Sequence, residues 1–396
     1  MVKRCLLVYF VITSFLLIGQ TLYGWTGLTR LTWTTGDSAY PDAAIEAGIF
    51  SNNIHLVFSE YVNPGNYEIF YKKSTDRGIT WSGSKRLTWM SGSSDSPTIA
   101  IDKDNNIHIA WHDNQSGHYE IYYKKSEDGG NTWTGAKRLT WAESSSLYPD
   151  ILARPMKLNN GAVIVGLHIT WSQLVGTNYE IFHKSSNDEG ETWNSPHIKR
   201  ITWNTGWSWF SKIAVDSKSR LHIVWQDNSP GNYEIFYKIS EDGGNAWTME
   251  RITWNPGWSA NPSIATDPSD NIYLVWEDDT FGNFEIMFKG HDGITTWSPP
   301  SRLTWTLGDS YSPTITAFST MQPHLVWHDD NSGNNEIFYK SSTNGGNTWP
   351  GATRLTWNSG YSYVPVVAID YTTLNVHVFW ADNTPGNYEI YYKRKN

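Results

Sequence analysis

Two loop patterns repeated along the chain bring carboxylates, hydroxyls, amides and indoles close together. The first reads W-x-x-G-x-S-x-x-P, as in Trp254 to Pro262, and its Ser occurs seven times, at Ser38, Ser94, Ser146, Ser208, Ser259, Ser310 and Ser362. The second reads W-x-D-x-x-x-G-N-Y-E, as in Trp225, Asp227, Gly231, Asn232, Tyr233 and Glu234. Its Glu also occurs seven times, at Glu68, Glu120, Glu180, Glu234, Glu285, Glu336 and Glu389. Two chemistries fit this set. Ser and Asp can cap turns while Glu accepts hydrogen bonds from the neighbouring loop. Alternatively, ring faces can stack on the C–H patches of sugars while carboxylates and amides take adjacent hydroxyls, as weak sites that add through avidity. The two are compatible, because a capped turn still presents its outer atoms.

The symmetry of these loops breaks in aromatics. The position after the loop Gly, or after Ser144 in the third copy, is Asp37, Ser93, Ser145, Trp207, Trp258, Asp309 and Tyr361. Of 23 Trp, only Trp207, Trp209 and Trp258 fall outside the repeat slots, and with Phe210 they concentrate on two adjacent copies. Surplus surface indoles are costly unless they bind something or pack locally. The candidate ligand-binding residues are therefore Trp207, Trp209, Trp258 and Tyr361, with the carboxylates Asp227, Glu234, Asp278 and Glu285. Elsewhere the copies stay alike, whereas catalysis needs different roles at one site. Six histidines (His55, His108, His168, His222, His324, His377) share one slot, with Tyr273 in the seventh. Alternation in IHIAW sets His108 opposite Ile107, Ile109 and Trp111, so this slot packs between sheets rather than holding a metal.

The elements that carry these loops follow from a repeat. RLTW or RITW begins at Arg30, Arg86, Arg138, Arg200, Arg251, Arg302 and Arg354, and subtraction gives spacings of 56, 52, 62, 51, 51 and 52. Each period holds three further strand-like runs, such as PTIAID from Pro97, IHIAW from Ile107 and YEIYYK from Tyr119, bounded by Gly, Asn, Asp or Pro. Four short strands per repeat, with no sustained 3.6 period, predict an all-β propeller. The chain opens on a fourth strand and ends on a third. The expected fold is thus seven four-stranded blades, the last closed by the N-terminal strand pairing with the C-terminal sheet, which removes the open edge. The longer third repeat, with Arg154 to Gly166 inserted, reads as a hairpin extension.

Between third and fourth strands lies an octapeptide: STDRGITW from Ser74, SEDGGNTW from Ser126, SNDEGETW from Ser186, SEDGGNAW from Ser240, GHDGITTW from Gly290 and STNGGNTW from Ser342. An Asp such as Asp128 can accept N–H bonds across the turn, Gly130 can take a positive φ, and Trp133 can wedge between sheets. The string S-x-D-x-G-x-T-W resembles the Asp box, or BNR repeat, of sialidase-like propellers, over essentially the whole chain after residue 24. The resemblance implies a structural turn role for Asp76, Asp128, Asp188, Asp242, Asp292 and Asn344. The fifth copy departs at Gly290 and Ile294 and the sixth at Asn344, so those turns are expected to be looser, and Trp25 reads as a remnant of a seventh copy. Sialidases look six-bladed, whereas some Asp-box xyloglucanases and photosystem assembly factors are seven-bladed.

Sialidase-like catalysis would need three arginines converging on a substrate carboxylate, a Tyr–Glu nucleophile and an Asp acid/base. Seven of the twelve arginines are the repeat arginines on the outermost strand. Arg4, Arg77, Arg220 and Arg394 sit in the leader, a turn, another turn and the C-terminus, leaving Arg154 alone near an inner strand.

Composition excludes several classes. Aromatics at 15% and hydrophobics at 39% exclude disorder, and a net charge of -9 gives no basic field for a nucleic-acid partner. No G-x-x-x-x-G-K-[ST] or H-E-x-x-H occurs. Lys3 and Arg4 before the apolar run Cys5 to Gly19 read as an export signal, residues 1–24, ahead of a single propeller domain, 25–396, with no membrane span in the mature chain. The only Cys leaves with that signal. No cofactor or metal is assigned: Asp and Asn oxygens abound in the acidic loops and leave calcium open, but no loop has the spacing of a dedicated calcium site. The expectation is a secreted, non-catalytic propeller that binds glycans or an extracellular protein. A sialidase-like or other exo-glycoside hydrolase and a protein-assembly scaffold are the alternatives.

Overall fold

The computed structural model describes residues 24–46, 53–63, 65–157, 163–193, 198–294, 296–370 and 372–396. The expected export signal and Cys5 lie outside them, apart from Gly24. The named elements among the described residues are 28 strands in seven four-stranded antiparallel sheets, a seven-bladed β-propeller. Blades one to seven are counted by the inner strands that open at Ser38, Ser94, Ser146, Ser208, Ser259, Ser310 and Ser362. Blade five shows the plan: inner Ser259–Thr266, second Ile272–Asp278, third Glu285–His291 and outer Ser301–Arg302. Blade seven takes its outer strand, Thr29–Arg30, from the other end of the chain, with Thr29 opposite Tyr392 and Arg30 opposite Tyr391. The ring is therefore closed by chain ends sharing one sheet. No helix of the described residues is long and apolar enough to cross a membrane.

Alternation explains how the sheets stack. Ile107–Asp113 is buried at every position, because both faces of a second strand meet a neighbouring blade. One face carries Trp111, stacked on Tyr122 of the third strand at 5.9 Å. The other carries His108, whose Nδ1 lies 2.8 Å from the Tyr123 hydroxyl and Nε2 3.2 Å from Asp102. The same His–Tyr bond recurs at His55, His222, His324 and His377, which places these histidines in the packing between sheets. In blade three His183 replaces the Tyr and lies 3.0 Å from His168. The core consists of layers between blades: Ile264, Leu274, Trp276 and Met287 of blade five pack on Val224, Ile235 and Tyr237 of blade four.

The octapeptide turns behave as their chemistry dictates. Asp128 accepts from Thr132 N and Thr132 Oγ1 at 2.7 Å and from Ser126 Oγ at 2.9 Å, with Gly130 at φ 84°. Asn344, where a looser turn was expected, keeps these bonds: its Oδ1 accepts from Thr348 N at 2.9 Å and its Nδ2 donates to Thr348 Oγ1 at 2.8 Å. An amide is nearly isosteric with a carboxylate and supplies the missing donor. The fifth turn does change: with Gly290 in place of the Ser, Gly293 N donates to His291 Nδ1 at 2.8 Å, where Gly130 N donates to Ser126 Oγ. Trp25 meets Tyr339 edge-on at 5.0 Å, as Trp133 meets Tyr71 at 5.3 Å, so it fills the seventh wedge. The third-blade insertion is a hairpin extension: Ser146–Lys157 pairs with Val163–Val175, up to Lys157 opposite Val163.

Candidate functional site

The loops from outer to inner strands and from second to third strands share one face, and their bases hold two recurrent latches. In the first, the strand-opening Ser donates to the Asp of the second strand: Ser208 to Asp227 at 2.7 Å and Ser259 to Asp278 at 2.8 Å. The other carboxylate oxygen accepts a main-chain N–H two residues on, from Ser229 at 2.9 Å and Thr280 at 3.1 Å. In the second latch, the repeat Arg of the outer strand donates to the Glu that opens the third strand. Arg251 reaches Glu234 at 2.9 Å and Arg302 reaches Glu285 at 2.6 Å, and the same pair closes the ring through Arg30 and Glu389 at 2.7 Å. Asp227, Asp278, Glu234 and Glu285 are all 0% exposed. These four candidate carboxylates have no surface to offer a sugar; they hold the loops in place.

The loop tips present the candidate aromatics. Trp207, Trp258 and Tyr361 are 42, 52 and 50% exposed. Each tip is fixed by its own main chain, whose N–H donates to a side-chain oxygen of the facing loop: Trp207 to Asn228 and Trp258 to Asp279 at 2.6 Å, Tyr361 to Asn383 at 2.7 Å. Trp207 also donates through Nε1 to Thr177 O at 3.2 Å and meets Tyr179 and Trp209, each at 5.9 Å. Trp209 is half-buried behind it, 4.0 Å from Tyr179 and 5.7 Å from Tyr148, which lies 4.6 Å from Phe210. Trp258 stands on the next loop, edge-on to Tyr233 at 5.7 Å. Tyr361 opens blade seven, with blade six between it and Trp258. Tyr148 and Tyr179 sit in repeat slots, so only their contacts, and not their spacing, mark them as part of this cluster.

The axial mouth breaks symmetry in ways that reading along each motif misses. Two residues after each opening Ser, the inner strand bulges through a left-handed residue: Tyr40, Ser96, Tyr148, Phe210, Asn261, Ser312 and Val364, at φ 46 to 53°. Several of these amides donate to the middle residue of W-x-D on the preceding blade, Asn261 to Gln226 at 2.8 Å and Ser312 to Glu277 at 2.7 Å. Two residues further on, Asp42, Thr98, Asp150, Lys212, Ser263, Thr314 and Val366 occupy one level. There Lys212 pairs with Asp150 at 3.0 Å, while Asp42 accepts from Ile99 N at 2.9 Å. Burial raises the Asp42 carboxyl to about 6, partly offset by Lys212. The Lys212 side chain is 48% exposed, so the mouth is open to water. Below, Ala43, Ala100, Ala153, Ala317 and Ala368 contribute to a cavity of about 260 Å³.

Burial also raises Glu277 to about 7, but it is 5% exposed and accepts from Asn261 Nδ2 at 2.7 Å as well as from Ser312. Every described arginine lies off this mouth. The seven repeat arginines pair with the seven Glu at 2.6 to 2.9 Å. Arg77, Arg154, Arg220 and Arg394 bond to Asp370, Ser219 O, Asp216 and Arg77 O on the opposite face. Among the described residues no group of three or more His, Cys, Asp or Glu is placed to hold a metal ion.

No family model and no curated protein matches the chain. Solved structures do. A polysaccharide lyase family 25 ulvan lyase superposes with a TM-score of 0.62 at 12% identity, over 90% of this chain and 94% of that one. The fold is that of the sialidase and polysaccharide lyase propellers. A Dyadobacter fermentans protein of unknown function gives 0.56 at 16%, over 93 and 98%, and the Hadza microbial sialidase Hz136 gives 0.51 at 18%, over 74% of this chain and 64% of that one. At these identities the likeness is one of fold.

Proposed function

We propose that the chain is an exported, non-catalytic Asp-box propeller that binds glycans through the face carrying the W-x-x-G-x-S and W-x-D loops. The observation that carries this reading is the division of labour within those loops: the carboxylates are buried in latches, while Trp207 and Trp258 project from rigid tips with about half of each ring free. An indole held by its own main chain loses little entropy on stacking against a sugar. Export rests on the charged and apolar pattern of the first 24 residues. Carbohydrate chemistry among the fold neighbours, one of them solved with -[GlcA(1-4)Rha3S]- bound, is consistent with it. A glycan array with the wild-type protein, followed by Trp207→Ala and Trp258→Ala, tests the reading. Binding is expected to fall at least about tenfold in one of the variants, and unchanged binding in both would remove the patch.

One observation favours a hydrolase: a carboxyl near neutrality, Glu277, beside the axis. Release of sugar from fluorogenic glycosides that Glu277→Gln abolishes would support it. Release undiminished in that variant would mark a contaminant.

A further inference from the structure

Seven tryptophans remain that neither the core nor the loop tips use. They close the RLTW strings, from Trp33 in blade seven to Trp357 in blade six, and they are 64 to 70% exposed. All are held in the same way. The guanidinium of the same string lies 5.5 to 6.0 Å from each ring centroid. In four of them the ammonium of a third-strand Lys on the next blade lies 5.2 to 5.6 Å away, as Lys184 does for Trp141. Shielding the Arg–Glu pair accounts for the third of the ring that is covered. Two-thirds of a large apolar surface, repeated seven times, is left over.

The charge around these rings is not balanced as the arginines are. The Arg has its Glu, but the Lys hydrogen-bonds a main-chain carbonyl beside the preceding outer strand: Lys184 to Leu139 O at 2.7 Å, Lys340 to Leu303 O at 2.5 Å and Lys393 to Leu355 O at 2.6 Å. Burial lowers the pKa of each of these lysines, and among the described residues none of the three forms an ion pair with a carboxylate. Beside Trp141, Trp305 and Trp357 the Arg charge is matched by Glu and the Lys charge is not, on a chain whose net charge is -9.

We propose that the outer edge of these loops, away from the Trp207 and Trp258 tips, is a second binding surface, and that its ligand is an acidic polysaccharide. Each platform is the size of one pyranose ring and is separated from the next by a blade, which suits a ligand built of repeating rings rather than a continuous apolar partner. Seven equivalent weak sites gain affinity only from a ligand that offers many copies of one epitope. Uronate or sulfate groups meet the unbalanced ammonium field.

Binding of the full chain to immobilised alginate and to neutral dextran, at 50 and 300 mM salt, tests the proposal. Alginate should be held at least about a hundredfold more tightly than monomeric uronate, through avidity, and dextran far less tightly. High salt should weaken alginate binding, because the screening length shortens from about 14 Å at about 50 mM to about 6 Å at about 300 mM. The triple variant Trp89→Ala, Trp203→Ala, Trp305→Ala should lose at least about tenfold, and the corresponding Phe triple should stay within about threefold because a ring remains. Thermal unfolding confirms that both triples are folded. Equal binding of dextran, wild-type binding by the folded Ala triple, or equal loss in the Phe triple would overturn the proposal. Loss of alginate binding only in Trp207→Ala and Trp258→Ala would also overturn it and would leave the loop-face reading standing.

Discussion

The base and the tip of the same loop follow opposite rules. At the base, Ser259, Asp278, Glu285 and Arg302 recur in nearly every blade, and the Ser and both carboxylates are fully buried. At the tip, Asp37, Ser93, Trp207, Trp258 and Tyr361 differ from blade to blade, and the aromatic ones are exposed. Recurrence in a closed ring marks what the ring needs mechanically, namely a latch between each outer strand and its neighbouring third strand. Variation marks positions with surface to spare. The rim tryptophans combine the two, recurrent yet exposed, and that combination singles them out as a repeated platform.

The comparison breaks most readily at a latch. Glu285→Ala would leave the Arg302 guanidinium largely buried without its carboxylate and should cost about 3–5 kcal/mol, against no more than about 1 kcal/mol for Trp258→Ala at the tip. Urea unfolding of the two variants checks this, and equal midpoints would deny that the base is structural.

Acid should act on the layers between blades next. Burial holds His112, His183 and His377 at about 3 and His324 and His328 at about 4. The unfolded chain protonates these rings near 6.5, so it binds more protons than the fold, and stability falls as pH drops from about 6.5 towards 4. The loss is roughly 1.4 kcal/mol per pH unit for each ring. Asp42, Glu60 and Glu277, raised to about 6, 7 and 7, act in the opposite sense and lose stability as pH rises through that window. Five groups outweigh three, so urea midpoints should be lower at pH 5 than at pH 7.5. A higher midpoint at pH 5 would place the histidines in contact with solvent.

Smaller effects sharpen the same contrast. Ser259→Ala removes one buried donor to Asp278 and should cost about 1–2 kcal/mol by thermal unfolding. Val364→Asn should raise stability by up to about 1 kcal/mol, because a β-branched residue at φ 49° is strained where Asn is tolerated. A loss instead would show that Val364 packing outweighs its backbone strain.

The repeat made the architecture legible, because a fifty-residue period of four strands has few ways to bury its faces, and even the shared final sheet followed from which strands the chain begins and ends on. The candidate carboxylates were harder. Glu234 reads either as an acceptor for the neighbouring loop or as a sugar ligand; only the register that sets Phe236 opposite Arg251 brings that guanidinium onto it. The axial level of Asp42, Asp150 and Lys212 was readable in principle by comparing one slot across all blades. Each of these residues looks ordinary within its own strand, so reading along the motif passes over them.

A crystal structure of the protein with a bound oligosaccharide from its best array hit tests the central claim most directly. The account predicts a pyranose ring stacked on Trp207 or Trp258, with Glu234 and Glu285 still paired to Arg251 and Arg302. A sugar seated in the axial mouth against Asp42, Lys212 or Glu277, with the loop-tip indoles bare, would contradict it.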